Sequence, residues 1–322
     1  MNPTLQGYAS AVLEAAGAGA LGGLASELEA VENLVNTNAP LRSALTDTTV
    51  RGQVRRAVML DLLDGKVSGP ARRLAAFACS VVRAPDVPAA VAWVAARARH
   101  AAEGQGYDEV PLSLTESRQR VGGFATAVDE DLSNEELESL EDDLFRFARI
   151  VAATPALRAA LVDRDLAVEA RQGLVRQLLE GKVQPSTVSL VRFVVAGGRA
   201  RDIVGTLDWL VEQTARARGW RIARIRSAAA IEDAQRSTLS QSLTNLAGAP
   251  VELQVVIDEA LLSGAVIEIG DLQVDASARG RIEALREHLT PGGWEDKGFR
   301  TATVRSATVR PGGTTATKEG AG

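Results

Sequence analysis

The chain has 322 residues, enough for two or three domains with real cores, and 46% of them are hydrophobic against 24% charged. Aromatics are scarce at 4%, which favours helices packed through small side chains over aromatic-rich sandwiches, and a net charge of −5 exerts no global pull on nucleic acid or anionic lipid. A single cysteine, Cys79, excludes an internal disulfide, and with two histidines it leaves too few ligands for a zinc site of the usual kind.

The first residues, Met1-Asn2-Pro3-Thr4, lack the basic-then-apolar pattern of a secretory signal. The longest apolar stretches, such as Leu74–Val82, run to about nine residues, well short of the roughly 20 that span a bilayer. A soluble chain with no direct membrane span is expected, one that can still belong to a membrane assembly. From Gly7 onward the chain repeats itself. Residues 7–99 superpose without a gap on residues 123–215, a shift of 116 positions (Leu41-Arg42 on Leu157-Arg158, 157 − 41 = 116). About 26 of about 93 paired positions are identical, among them Leu62, Leu63, Gly65, Lys66 and Val67 on their counterparts, Phe77 on Phe193 and Trp93 on Trp209. A period of that length is a small domain rather than a solenoid unit, so one domain is present twice.

Both copies carry helical periodicity. Leu21, Leu24, Leu28 and Val31 step at three, four and three, and Leu137, Leu140, Leu144 and Phe147 repeat those steps. The run Glu135, Glu136, Glu138, Glu141, Asp142 and Asp143 between them reads as a solvated helix face in preference to an acidic docking face. Asn38-Ala39-Pro40 and Thr154-Pro155 suit a helix cap followed by proline in the first turn, and Gly65 and Gly181 look like helix stops. Five or six short helices per copy predict two compact bundles, residues 1–105 and 121–218, joined by a linker at 106–120 that contains Gly106 and Pro111.

The pattern then changes. Trp220–Arg226 alternates as an extended stretch, and Val251, Leu253, Val255 and Ile257 keep a period of two. Between them Leu239, Leu243 and Leu246 share one face of a helix that stops at Gly248. A turn at Ser263-Gly264 leads into Ala265–Ile269, and a second turn at Gly270-Asp271 into Leu272–Val274. Ser277 is placed to cap a last helix with Ile282, Leu285 and Leu289 inward. The fold class is therefore mainly α: two tandem helical bundles, a small α/β domain at 219–290, and a tail at 291–322 too poor in apolar residues to fold.

Few residues suggest chemistry. Gly17-Ala18-Gly19-Ala20-Leu21-Gly22 fits the glycine pattern that cradles phosphates, which would make the chain a nucleotide-binding enzyme. That role needs a preceding buried strand, whereas Tyr8–Ala16 is helical in pattern and the second copy has no glycine there, so an interhelix turn is favoured. Arg216, Arg218, Arg221, Arg224 and Arg226 form a basic cluster without the aromatic platform or recognition helix of a nucleic-acid site; docking of a partner stays open. His100 and His288 are isolated, Asp258-Glu259 sits at a strand end without a pocket signature, and Cys79 faces Val195 in the repeat, as a small core residue would. Neither a catalytic constellation nor a cofactor site is expected.

Residues 251–270, VELQVVIDEALLSGAVIEIG, resemble the C-terminal signature of the δ subunit of F-type ATP synthase, the OSCP family. Val251, Leu253, Ile257, Asp258, Leu261, Ser263, Gly264, Ala265, Ile267, Glu268 and Gly270 fill that pattern, and Asp275-Ala276-Ser277 continues it. The departures are Asp258-Glu259 where Asp-Pro is usual and Ser263-Gly264 where Gly-Gly is usual. Upstream, Phe124-Ala125-Thr126-Ala127-Val128 and Gly7-Tyr8-Ala9-Ser10-Ala11-Val12 both resemble the opening of the family's helical domain. Residues 123–290 thus resemble a complete δ subunit and residues 7–99 an added helical domain, a duplication associated with actinobacterial enzymes, though no b-type membrane helix precedes it here.

The resemblance implies a non-catalytic stator linker of a proton-translocating ATP synthase, held at the cytoplasmic face of the membrane by its complex. Its helical domain would bind the amphipathic N-terminal helices of α subunits, and its α/β domain the C-terminus of the b-type peripheral stalk, resisting rotor torque. Helix-in-groove docking uses apolar anchors one turn apart. Carried over from the family's first and fifth helices, those anchors are Tyr8, Val12, Leu74 and Phe77 in copy one, and Phe124, Val128, Leu190 and Phe193 in copy two. Retention of both faces implies two α helices bound. The competing expectations are the nucleotide-binding enzyme and a helical adaptor unrelated to ATP synthase.

Overall fold

Caps and proline set the helix starts, and glycine sets several stops. In the computed structural model, which describes residues 2–105, 113–163, 165–197, 202–258, 261, 263–269, 272–275 and 304–306, copy one comprises α1 (Pro3–Ala16), α2 (Leu21–Thr37), α3 (Ala39–Thr46), α4 (Gly52–Leu63), α5 (Gly69–Val81), a short 3₁₀ turn at Ala84–Asp86, and α6 (Val87–Ala102). Copy two repeats it as α7 (Leu114–Asp129), α8 (Asn134–Ala153), α9 (Pro155–Val162), α10 (Val168–Leu179), α11 (Pro185–Ala196) and α12 (Ile203–Ala217). Each copy therefore has the upper of the expected helix numbers. The Oδ1 atom of Asn2 accepts from the N–H groups of Thr4 and Leu5, and that of Asn38 accepts from Leu41 N–H at 3.0 Å. Gly17, Gly65 and Gly181 each turn the chain with φ near +70°, which a side chain would strain. Gly17 accordingly joins two helices, and no strand precedes the Gly17–Gly22 run.

Two sequence expectations shift. The stretch read as a linker is helical from Leu114, because Ser113 and Glu116 form a reciprocal capping box: Glu116 N–H donates to Ser113 Oγ, and Ser113 N–H to the Glu116 carboxylate. Glu141, read as part of a solvated acidic face, is 1% exposed. It accepts a 2.9 Å hydrogen bond from the guanidinium of Arg218, which also meets Glu138. Charge periodicity alone cannot separate a buried, paired carboxylate from its exposed neighbours.

Inside each bundle the same devices recur. Arg55 is buried and donates to the carbonyls of Cys79, Val82 and Val50, tying the end of α5 to α4. Its repeat partner Arg171 (171 − 55 = 116) donates to Val195 O at 2.8 Å. Glu27 accepts from Ser68 at the start of α5, and its counterpart Asp143 from Gln184 and Thr187 at the start of α11. Cys79 is fully buried, and burial pushes its thiol up to about 12, which suits the small core residue expected.

The chain divides into two compact units, with the boundary after Arg218. The second unit holds β1 (Arg221–Ser227), α13 (Asp233–Ala247), β2 (Val251–Ile257), β3 (Ala265–Ile269), β4 (Leu272–Asp275) and β5 (Val304–Ser306). The sheet order is β2-β1-β3-β4-β5; β1 and β2 run parallel, and the remaining neighbours antiparallel. The parallel pair needs a crossover, and α13 supplies it. Gly248, in the left-handed conformation, ends α13 as the sequence predicts. Ala223, Ile225, Leu243, Val251, Ile267 and Ile269 form the core of this unit. The period-two reading of β2 holds only in part: Gln254 is buried and Ile257 is 58% exposed. The last helix expected after Ser277, the side chains of Leu246 and Leu289, Glu259, Gly270 and His288 lie outside the described residues. So does the tail expected at 291–322, apart from Val304–Ser306 on the sheet edge.

Candidate docking surfaces

The two copies meet through their first helices. A Cβ on Gly7 would stand 1.7 Å from the carbonyl oxygen of Arg120, and one on Gly123 would stand 1.9 Å from that of Thr4. Gly7 and Gly123 are repeat partners, and so are Thr4 and Arg120 (123 − 7 = 120 − 4 = 116). The crossing of α1 and α7 is therefore isologous, as in a twofold dimer, but built within one chain. Only glycine lets the two backbones approach this closely.

The symmetry extends to the polar rim. Glu130, at the end of α7, accepts from the phenol of Tyr8 at 2.6 Å and from Arg56 at 2.5 Å, and the adjoining Asp131 pairs with Arg73 of α5. Its repeat partner Glu14 (130 − 116) accepts from Ser189 of α11 at 2.9 Å and faces Arg192 at 3.5 Å. Glu14 is thus held by the fifth helix of the other copy, and Glu130 by the first and fourth, with Arg73 of the fifth on the adjoining Asp131. Burial, reinforced by the bond to Glu130, raises the Tyr8 phenol above its usual range.

This arrangement places the residues assigned by resemblance to an α-subunit helix. Tyr8 stacks on Phe77 at 3.8 Å between ring centroids, and Phe124 on Phe193 at 4.1 Å. The repeat brings the four aromatic residues into two matching pairs, one in each bundle. Tyr8, Val12, Leu74, Phe77, Phe124 and Leu190 are buried, while Val128 and Phe193 keep partial exposure, the latter beneath the Arg120 guanidinium. In the second unit, Val251 and Ile267 are core residues, Leu253 packs against that core, and Leu261 and Gly264 flank the β2–β3 turn. Asp258 pairs with Arg226 at 3.5 Å, and Asp275 ends β4; Ser277 lies outside the described residues.

The other flank of α7 borders an open cleft of about 810 Å³, walled by Trp209 and Arg216 of α12, Leu137 of α8 and Thr4 of α1. Its floor is the stripe Arg118, Gly122, Thr126 and Asp129. A Cβ on Gly122 would reach within 2.9 Å of the Trp209 ring, so this glycine lets the indole lie close against α7. Asp129 stands at one end with a buried Oδ1 that accepts from no described residue. Burial first, and the neighbouring Glu130 second, push its carboxyl up to about 7.

Sequence reasoning missed Gly7, Gly123 and Asp129, and signals for all three were present. A glycine retained mid-helix in both copies indicates a close backbone approach. Asp129 replaces Leu13 of copy one at an otherwise apolar position, and Gly122 replaces Gln6. Among the described residues no group of His, Cys, Asp and Glu could hold a metal ion, and no helix is long and apolar enough to cross a membrane.

Comparison with known proteins agrees with this architecture. The family model described as "ATP synthase delta (OSCP) subunit" matches residues 5–105 and again residues 123–289. The chain is 34% identical over 266 residues to an ATP synthase subunit delta of Nocardia farcinica, covering 82% of this chain and 88% of that one. It is 32% identical over 277 residues to the ATP synthase subunit delta of Kineococcus radiotolerans, covering 86% and 91%. A Rhodococcus opacus protein of the same name is 31% identical over 269 residues, covering 83% and 86%.

Proposed function

Because the chain belongs to the ATP synthase delta (OSCP) subunit family, and so is a non-catalytic peripheral-stalk subunit of an F-type ATP synthase, we propose that it fastens the catalytic head to the b-type stalk at the cytoplasmic face of a proton-translocating enzyme. The helical unit would meet the N-terminal helices of α subunits, and the α/β unit the C-terminus of the b-type subunit. The observation that carries this reading is the double match to one family model, which assigns both bundles to the same kind of domain. No nucleotide, nucleic acid or other cofactor enters the proposal.

At the residue level, Val128 and Phe193 are the proposed α contacts while α1 and α7 stay together. Tyr8, Val12, Leu74, Phe77, Phe124 and Leu190 become available to an incoming helix only if the two first helices part. On the α/β unit, Ile257 offers an apolar side chain to the stalk beside the Asp258–Arg226 pair, and the other signature residues support that edge from within. The test is co-purification of the tagged chain with α and b-type subunits, repeated with residues 219–322 deleted. Both partners are expected with the full chain, and α alone with the truncated one. Loss of α with retention of the b-type subunit would overturn the assignment of the two units.

A further inference from the structure

We propose that the joint between α1 and α7 is keyed: a rim of charges that has diverged in complementary ways makes copy one accept copy two and makes each copy a poor partner for its own kind. The partner this surface fits is the sister copy, not the like copy of a second chain. The inference does not depend on the stator reading.

The need for a key follows from the symmetry. An isologous patch matches itself, so an unmodified duplicate admits copy one on copy two and also each copy on its like in another chain. The close crossing does not discriminate among these pairings, because Gly7 and Gly123 are both glycine, and the Phe77–Phe193 and Glu14–Glu130 positions are likewise shared. Discrimination has to come from residues that differ between the copies and reach across the joint.

The rim supplies them. Copy one contributes Tyr8, Arg56 and Arg73, where copy two has the uncharged Phe124, Gln172 and Ser189. Copy two contributes Asp131 and Arg192, where copy one has Ala15 and Ala76. All of the contributed groups cross the joint. Tyr8 and Arg56 donate to Glu130 at 2.6 and 2.5 Å, and Arg192 faces Glu14 at 3.5 Å. Arg73 grips Asp131 with both arms of its guanidinium, one of them at 3.0 Å, a fork that selects geometry as well as charge. Arg120, also particular to copy two, lies over the Phe193 ring of its own bundle.

A change of partner unbalances this rim. In a pairing of copy one with its like, each end would set Arg56 and Arg73 against Glu14 alone, with Ala15 in place of a second acid. In a pairing of copy two with its like, each end would set Arg192 alone against Glu130 and Asp131. The observed pairing brings three arginines, Arg56, Arg73 and Arg192, to three carboxylates, Glu130, Asp131 and Glu14. One exposed ion pair contributes little, but several arranged together, with surplus like charge in every wrong pairing, separate one partner from another. The short connection between Ala102 and Leu114 then makes the permitted pairing intramolecular.

The test keeps the full chain and moves the Arg73–Asp131 fork from one end of the joint to the other, using positions that are not buried. Asp131→Ala with Ser189→Arg gives copy two the residues of copy one, so the joint imitates copy one on its like. Ala15→Asp with Arg73→Ser imitates copy two on its like. The chain with all of these substitutions is the full swap, in which the new arginine at 189 meets the new aspartate at 15. Amide hydrogen exchange in α1 and α7 reads the opening of the joint, and exchange in α2 and α8 reads the integrity of the bundles. Both half-swaps are expected to exchange about tenfold faster than the parent in α1 and α7, and the full swap to return to within about threefold of it. Parent-like rates in both half-swaps would overturn the proposal. So would a full swap that exchanges as fast as the half-swaps, because the residues would then act within their own bundles. If a half-swap also loses protection in α2 or α8, the full swap decides alone: restored rates support the key, and unrestored rates overturn it.

Discussion

Gly123→Ala is expected to destabilise the helical unit, although the same exchange normally stabilises a helix. Alanine gains about 1 kcal/mol over glycine in a helix interior. Against that, the new Cβ would lie 1.9 Å from the Thr4 carbonyl oxygen, so α1 and α7 must separate by about 1.5 Å to restore an ordinary contact. A gap of even 0.5–1 Å forfeits about a quarter to a half of each dispersion contact across it, and forced overpacking costs about 1–3 kcal/mol by itself. The separation also pulls Glu130 away from Tyr8 and Arg56, whose bonds lie at 2.6 and 2.5 Å. The net expectation is a loss of about 1–3 kcal/mol, or a fall of about 2–10 °C in Tm for a unit of this size. Gly7→Ala, with 1.7 Å to Arg120 O, should behave alike. Gly173, inside α10, provides the control. Its Cβ would meet nothing within 4 Å, so Gly173→Ala should raise Tm by about 2–4 °C. Differential scanning calorimetry of the three variants gives the answer. If Gly123→Ala and Gly7→Ala stabilise as Gly173→Ala does, the close crossing of the two copies is wrong.

Two further substitutions test the buried charges. The carboxyl of Asp129 rises from 3.8 to about 7 on folding, so its protonation favours the folded state fully below about pH 4, and that contribution is lost as pH climbs through about 7. The rise is worth at most about 4 kcal/mol, which the partial exposure of Asp129 reduces to about 1–2. Asp129→Leu should therefore unfold later than the parent chain at pH 8 and show a flatter stability profile between pH 5 and 8; identical profiles in urea titrations would refute the burial of that acid. Glu141→Ala removes the carboxylate that the Arg218 guanidinium, 6% exposed, meets at 2.9 Å across the α8–α12 contact. A loss of about 3–5 kcal/mol is expected from breaking such a buried pair, and a change below about 1 kcal/mol would place Glu141 on the solvated face after all.

Much of the fold is legible because the repeat lets each copy check the other. The steps of Leu137, Leu140, Leu144 and Phe147 gave one buried face of α8, and Gly65 and Gly181 gave matching stops. The β1–β2 alternation and the Gly248 stop delivered the crossover unit. What periodicity cannot supply is the identity of the surface that a buried face meets. Tyr8 and Phe124 read equally well as bundle core or as anchors for a foreign helix, because both demand an apolar side chain at the same helical phase. The rings stack within their own bundles, Tyr8 on Phe77 and Phe124 on Phe193, and the Tyr8 phenol crosses to Glu130 of the sister copy, contacts that no local pattern encodes. Glu141 and Arg55 escape for a related reason: a charged residue on a helix signals solvent unless its partner, far away in sequence, is known.

The symmetry of the joint bears on how a duplicated domain works in a stator. An isologous contact uses the same patch on both partners, so once α1 and α7 have met, that patch is spent on both copies. Rotor torque acts in one sense, and a partner helix approaches from one direction, so two identical outer faces would offer two equal registers for one partner. Divergence at a few positions removes that ambiguity. Leu13 is apolar where its counterpart is Asp129, and Gln6 stands where Gly122 admits the Trp209 ring. Gly7 with Gly123, Phe77 with Phe193 and Glu14 with Glu130 are identical across the repeat, and so are Trp93 with Trp209 and Leu21 with Leu137 beside the cleft, whereas Thr4 with Arg120 and Gln6 with Gly122 differ. Asp129 for Leu13 is an exchange with a physical consequence, because it sets a buried acid where the other copy keeps leucine.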